Sequence, residues 1–345
     1  MWLLYGANGT TGRLLLEIWR KGMGDGVPPI LAGRNPSALQ ALGELYGLPY
    51  LCFSLEELPR VSLPSEVRLI ANFAGPYEST AQPWLQYCSE KGLAYLDICG
   101  EWKVLHHIYE SASLYLSAQI PLIHGAGYDT VIGEGALYFF RQRYPEALRL
   151  HLGVYTRGGF STGTVRSALV TLPKGYYRWE KGRLHPIPFG SSERPLYTEK
   201  KYLFWSATLA ELITFPAWNP DLEALSTWVA LPKRYIRWVP FLEKVFAWEP
   251  FLDGLLRLLD SQRARFARKM DFNTTSCTLV EAEGGSERLY IRTPQPYVVT
   301  AWAVLRSVQL FFSGTNEPGP KSAFGRWKEQ LWNQLPGLQL SWQGP

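Results

Sequence analysis

The sequence predicts a doubly wound parallel α/β sheet followed by a second, α+β domain, and three observations carry that expectation. Short apolar runs alternate with helical periodicities through the first 127 residues. A glycine-rich turn, Gly6 to Gly12, joins the first apolar run to the first helical stripe. From residue 148 the alternation gives way to period-two patterns and hairpin turns.

Trp2 to Tyr5 predicts the first strand, and beyond the turn Leu14, Leu15, Ile18 and Trp19 recur at helical spacing. Pro29 to Ala32 predicts a second strand, Ser37 to Tyr46 a helix capped by Ser37 or Asn35, and Tyr50 to Phe53 a third strand. Arg68 to Asn72, Ala94 to Asp97 and Ile120 to His124 predict three more, with a helix from Gln82 to Lys91 ended by Gly92. Strands separated by helices imply right-handed crossovers and a parallel sheet.

Leu148, Leu150, Leu152 and Val154 then alternate with Arg149, His151, Gly153 and Tyr155, the period of a half-buried strand. Tyr176 to Glu180 and Arg183 to Ile187 flank Lys181 and Gly182, and Thr274 to Glu283 and Ser286 to Arg292 flank Gly284 and Gly285, predicting two hairpins. Trp205, Trp218, Trp228, Trp238 and Trp248 suit a broad aromatic surface or pocket wall. Phe251, Leu252, Leu255, Leu256 and Leu259 form a helical stripe, and Arg263, Arg265, Arg268 and Lys269 follow it. Such an amphipathic basic segment, 233–269, packs on the second domain, on a second copy in a homodimer, or on a membrane surface.

At 345 residues the chain exceeds what one core comfortably holds, and 46% hydrophobic with 19% charged residues excludes disorder. The net charge, 35 − 30 = +5, is too small to argue for nucleic acid. Cys52, Cys88, Cys99 and Cys277 lack any paired spacing, which suits reduced thiols in a cytosol. Neither a cleavable leader nor an apolar run of membrane-spanning length is evident, so a cytoplasmic protein with at most peripheral membrane contact is expected. His106 and His107 are neighbours rather than helical i and i+4 partners, and no metal site is expected.

Gly6, Gly9 and Gly12 give G-x-x-G-x-x-G between a strand and a helix. Bare backbone amides there can approach a pyrophosphate at the positive helix end, the Rossmann arrangement. An NAD site usually places a carboxylate at the end of the second strand, where this chain has Ala32, Gly33 and Arg34. Arg34 suits a 2′-phosphate, which favours NADP. The expected cofactor-binding residues are Gly6, Asn8, Gly9, Thr10, Thr11, Gly12 and Arg34, with Ala74, Gly75 and Pro76 from the turn after the fourth strand.

These motifs resemble the saccharopine dehydrogenase-like oxidoreductases, in particular their trans-acting enoyl reductase branch. The matching pieces are G-A-N-G-T-T-G-R at 6–13, A-G-R at 32–34, N-F-A-G-P-Y at 72–77 and Y-L-D-I-C-G-E at 95–101. Gly127, Tyr128, Asp129 and Thr130 resemble the family's G-F-D-S, although Ile132 replaces its usual proline. Gly163, Thr164 and Ser167 resemble the next stretch, and P-K-S-A-F-G at 320–325 the closing one, while 175–290 match poorly. The resemblance implies a helix from Ala323 to Leu335 packing back on the cofactor domain. The expected partition is 1–127 with 315–345 for the NADP domain and 128–314 for the substrate and dimerisation domain.

The implied activity is NADP-dependent reduction of a C=C (enoyl) or C=N bond in a small hydrophobic, acyl or carrier-bound substrate. Such a reduction needs a positioned proton donor and an oxyanion contact. The candidate catalytic residues are Tyr77, Tyr128, Asp129 and Thr164. Asp129 either orients a donor, binds the nicotinamide ribose or caps the following helix, and Asp97 and Glu101 share that ambiguity. His124 reads as an ordinary strand-end histidine, and Cys88 and Cys99 as small buried fillers. No Tyr-x-x-x-Lys pair stands where a short-chain reductase would need it. Two alternatives remain open. One is saccharopine-type imine reduction on an amino acid, with Arg157 and Arg166 for its carboxylates. The other is a catalytically silent NADP-binding scaffold on a membrane surface.

Overall fold

The computed structural model describes residues 1–23, 27–156, 164–166, 169, 175–187, 194–197, 201–231, 248–261, 271–314 and 316–344. They form two compact units, Met1–Val131 with Tyr297–Pro336, and Ile132–Pro296 with Gly337–Pro345.

In the first unit β1 (Trp2–Tyr5) leads through the glycine turn into the helix Thr10–Ile18. β2 (Pro29–Gly33), the helix Pro36–Tyr46 and β3 (Tyr50–Cys52) follow. Asn35 rather than Ser37 caps that helix, its Oδ1 accepting the amide of Ala38 at 3.0 Å. β4 (Leu69–Asn72), the helix Tyr77–Lys91, β5 (Ala94–Asp97) and β6 (Pro121–His124) complete the predicted series. Gly92 ends the helix before β5 in the left-handed conformation. β1 and β4 are buried at every residue, which is why their apolar runs are continuous rather than alternating.

The second unit is built on β7 (Arg149–Tyr155), which pairs parallel with β12 (Ala224–Leu231) and antiparallel with β13 (Thr275–Ala282). Both predicted hairpins form, as β8 (Tyr176–Glu180) with β9 (Arg183–Ile187) and as β13 with β14 (Arg288–Pro294). β10 (Arg194–Tyr197) and β11 (Lys201–Ser206) extend the sheet beyond β12. Trp228 on β12 packs with Phe204, Leu279 and Tyr290, and Trp205 is also buried, so these two tryptophans are core rather than open wall. The stripe at 251–259 lies on the helix Glu249–Ser261; Trp238 and the basic residues from 263 to 269 lie outside the described residues.

The chain then returns to the first unit. The helix Pro296–Ser313 buries Val299, Ala301, Val304, Leu305, Val308 and Phe311, too many directions for one amphipathic stripe. β15 (Gly319–Ser322) pairs parallel with β6, and the resulting seven-stranded sheet has the order β15-β6-β5-β4-β1-β2-β3. The predicted helix from Ala323 to Leu335 is instead two short ones, Ala323–Trp327 and Glu329–Trp332, broken at Lys328, whose φ is +46°. β16 (Gln339–Gln343) pairs with β14 in the second unit.

The expected partition therefore shifts in three places, the first being that residues 128–131 group with the first unit. The helix Pro296–Ser313 groups with the first unit, where Arg68 lies over the rings of Phe311 and Phe312 at 5.8 and 5.6 Å. Of the segment 315–345, only the part up to Pro336 does so, because β14 offers the last strand its ladder. Among the described residues no helix is long and apolar enough to cross a membrane.

Candidate functional site

The sheet order reverses between β1 and β4, so the turns after these strands flank the crevice where such folds take ligands. Gly6 adopts a φ of +87°, and a Cβ on it would stand 3.0 Å from the carbonyl carbon of Phe73. The two turns meet backbone to backbone. Gly12 is tighter still: its missing Cβ would lie 2.6 Å from the carbonyl oxygen of Ala7, which lets the helix start directly against the strand.

Three helices begin along this edge after β1, β2 and β4, and their N-termini differ. Asn35 caps the helix after β2. Glu101 caps the helix after β4, its Oε1 accepting the amide of Tyr77 and its Oε2 that of Glu78, both at 3.0 Å. The helix after β1 starts at Gly9 with no side-chain cap. A helix leaves its first amides without intrahelical partners, and here those of Thr10, Thr11 and Gly12 face the turn uncapped. Asn8 lines the same turn, with Oδ1 3.4 Å from where a Cβ on Gly33 would be. Arg34 is exposed immediately after β2.

The turn after β4 is held from within. Asn72 is fully buried; its Oδ1 accepts the amide of Ala74 at 3.0 Å and its Nδ2 donates to the hydroxyl of Tyr95 at 3.1 Å. The Thr80 hydroxyl donates to the Ala74 carbonyl. Tyr77 donates its own hydroxyl to the Asn72 carbonyl at 3.1 Å. Burial, reinforced by Asp97, Cys99 and Glu101, pushes the Tyr77 hydroxyl far above its ordinary range. Gly75 and Pro76 complete the turn, joined by a cis peptide.

Asp97 and His124 end neighbouring strands and are both fully buried. Asp97 Oδ1 accepts the amides of Cys99 and Gly125, each at 3.0 Å, and Oδ2 lies 3.2 Å from His124 Nδ1. The imidazole packs near the rings of Tyr95 and Tyr109, at 6.0 and 6.3 Å between centroids, and its buried Nε2 has no partner among the described residues. Cys99 is buried too, and burial with the negative charge of Asp97 and Glu101 raises its thiol far above the reactive range.

The helix Tyr128–Arg143 follows β6. Tyr128 is buried and its amide donates to the hydroxyl of Thr300 at 2.9 Å. Asp129 is reached by solvent, yet the protein around its carboxyl desolvates it enough to push its pKa up to about 6. A Cβ on Gly100 would lie 3.9 Å from Asp129 Oδ2, so the turn after β5 leaves room for this carboxyl.

The first unit thus gathers Gly6, Asn8, Gly9, Thr10, Thr11, Gly12, Arg34, Ala74, Gly75, Pro76, Tyr77, Tyr128 and Asp129 on the turns and helix starts at one edge of one sheet. Thr164 is exposed in a helical stretch of the second unit. Arg157 lies outside the described residues. Asp97, Glu101 and His124 have more definite partners than their sequence positions imply: only the folded sheet sets the two carboxylates against amides up to 28 residues away and His124 against Asp97. Among the described residues no group of three or more His, Cys, Asp or Glu side chains is placed to hold a metal.

Comparison with known proteins fits this architecture. No family model matches the chain. A Mycobacterium tuberculosis protein named as a trans-acting enoyl reductase is 29% identical over 189 residues, covering 49% of this chain and 43% of its own length. A mouse saccharopine dehydrogenase-like oxidoreductase is 27% identical over 165 residues, covering 39% of this chain and 36% of its own. The matches thus span less than half the length of these curated relatives. Saccharopine dehydrogenase (L-Glu forming) from Saccharomyces cerevisiae shares the fold over 99% of this chain and 98% of its own, with a TM-score of 0.65 at 12% identity. Over about half its length the chain is thus similar in sequence to an enoyl reductase and a saccharopine dehydrogenase-like oxidoreductase, and over nearly all of it the fold is that of saccharopine dehydrogenase.

Proposed function

We propose that the chain is an NADP-dependent oxidoreductase that reduces a C=C bond conjugated to a carbonyl in a hydrophobic substrate. One observation carries the cofactor half of this reading. Of the three helix N-termini after β1, β2 and β4, only the one at Thr10 lacks a side-chain cap, and it lies behind a turn with no room for a Cβ at Gly12. Uncapped amides at the positive end of a helix suit a pyrophosphate. Gly6, Asn8, Gly9, Thr10, Thr11 and Gly12 would hold it, and Arg34 would take the 2′-phosphate with its planar fork.

When bound, the dinucleotide supplies a hydride. The chain must then deliver a proton. Tyr77 is committed to the Asn72 carbonyl and Tyr128 is buried, so neither hydroxyl is offered to solvent. The protein around the Asp129 carboxyl pushes its pKa up to about 6, which suits a proton donor or relay. The names of the relatives support the reductase class. A C=N bond in an amino-acid substrate is the second reading, supported by the fold shared with saccharopine dehydrogenase.

Calorimetric titration with NADPH and NADH, followed by NADPH oxidation assays, tests both halves. Tight NADPH binding with turnover of enoyl thioesters, and none of α-keto acids plus amino acids, is the expected result. Absence of binding to either nucleotide would remove the proposal.

A further inference from the structure

The segment D-I-C-G-E, Asp97 to Glu101, sends one buried carboxylate to each of its neighbours in the sheet. Asp97 grips the turn after β6: Oδ1 takes the Gly125 amide at 3.0 Å, Oδ2 faces His124, and the Asp97 carbonyl takes the Ala126 amide at 2.8 Å. Glu101 grips the turn after β4 through the amides of Tyr77 and Glu78. Three adjacent strand ends are thus tied at fixed spacing by two side chains from one short turn. The turn Gly6–Gly12 has hydrogen bonds of its own, Gly6 N to the Ala32 carbonyl at 2.8 Å and Gly9 N to the Gly6 carbonyl at 2.9 Å, and touches the turn after β4 at Gly6.

A doubly wound sheet binds the two mononucleotides of a dinucleotide on its two halves. The glycine turn and Arg34 belong to the β1–β3 half, whereas the double brace belongs to the β4–β6 half. We infer that Asp97 and Glu101 are positioning residues for the nicotinamide half of the dinucleotide, acting by holding the turns after β4 and β6 in register with the turn after β5. This rests on the dinucleotide reading above.

The geometry separates bracing from mere charge. An asparagine at 97 keeps an oxygen for both the Cys99 and Gly125 amides, whereas alanine keeps none. A glutamine at 101 keeps one oxygen and turns an amine toward the other backbone N–H.

The test titrates wild type, Asp97→Ala, Asp97→Asn and Glu101→Gln with NADPH and with 2′,5′-ADP, a fragment that reaches only the adenosine half. Asp97→Ala and Glu101→Gln should lose NADPH affinity roughly tenfold or more, keep 2′,5′-ADP within about twofold, and Asp97→Asn should keep both within about threefold. Equal weakening of fragment and dinucleotide, unchanged NADPH binding in both disruptive variants, or an asparagine variant as weak as the alanine one would overturn the inference. If Asp97→Ala does not fold, Glu101→Gln decides alone. Wild type binding neither nucleotide nor fragment would instead sink the dinucleotide reading itself.

Discussion

Gly12 lies against Ala7 so closely that a Cβ would stand 2.6 Å from the Ala7 carbonyl oxygen, 2.9 Å from its carbonyl carbon and 2.9 Å from its Cα. The contact is backbone against backbone, so no flexible side chain can yield. It sets how near the helix Thr10–Ile18 begins to β1, and with that the position of the uncapped amides.

Gly12→Ala should therefore destabilise the fold by about 1–3 kcal/mol, the usual cost of overpacking, and abolish NADPH binding even where the protein remains folded. Urea unfolding monitored by tryptophan fluorescence, with calorimetric titration at low temperature, measures the two effects. A variant that binds NADPH as wild type does would show that the turn is only structural.

Arg34 has no carboxylate counterpart at the end of β2 and is exposed, and the proposed function assigns it the 2′-phosphate. Charge-assisted hydrogen bonds of this kind are worth roughly tenfold to hundredfold in affinity. Arg34→Ser should weaken NADPH by that factor and leave NADH unchanged. Equal loss for both nucleotides would assign Arg34 a different task.

Desolvation raises the Asp129 carboxyl from 3.8 to about 6. A carboxyl raised on folding holds its proton longer in the native state than in the unfolded one, so stability falls as pH rises between these two values. Asp129→Asn should raise the melting temperature at pH 7 and leave it unchanged at pH 3.5. With Asp129 as the proposed proton donor, turnover of the wild type should decline as pH rises through about 6, and the same substitution should remove that alkaline limb. A melting temperature that shifts equally at both pH values would contradict the assignment.

Trp228 is 4% exposed among Phe204, Leu279 and Tyr290. Truncation to alanine should cost about 3–5 kcal/mol, as for other large core aromatics. Because Trp228 lies in the second unit, 2′,5′-ADP binding at the first unit should persist in the variant below its unfolding transition. Loss of that binding with the second unit still folded would show the two units to be energetically coupled.

Much of the first unit was legible because its signals are local. A strand buried on both faces reads as a short apolar run, and the glycines of the first turn sit between such a run and a helical stripe. The hairpins around Lys181–Gly182 and Gly284–Gly285 were legible for the same reason, since a turn and its flanking strands lie within a few residues. β12 and β15 were not: each pairs in parallel with a strand far away in sequence, β7 and β6 respectively, and β15 contains Pro320, a residue that by itself argues against a strand. The tryptophans at 205 and 228 suited a surface or a pocket wall because composition carries no information about which face a sheet covers.

Chain order and residue type alone determined the parallel sheet, the glycine turn between its first strand and helix, and the absence of a carboxylate beside Arg34, since each depends on neighbours within a turn or a strand. Folding decided which helix starts are already filled, that Glu101 and Asp97 reach sideways to neighbouring turns, and that the helix Pro296–Ser313 and β15 return to the first unit. The reason is physical: a buried carboxylate must find amides to replace water, and which amides lie within reach is a property of the sheet rather than of the local chain.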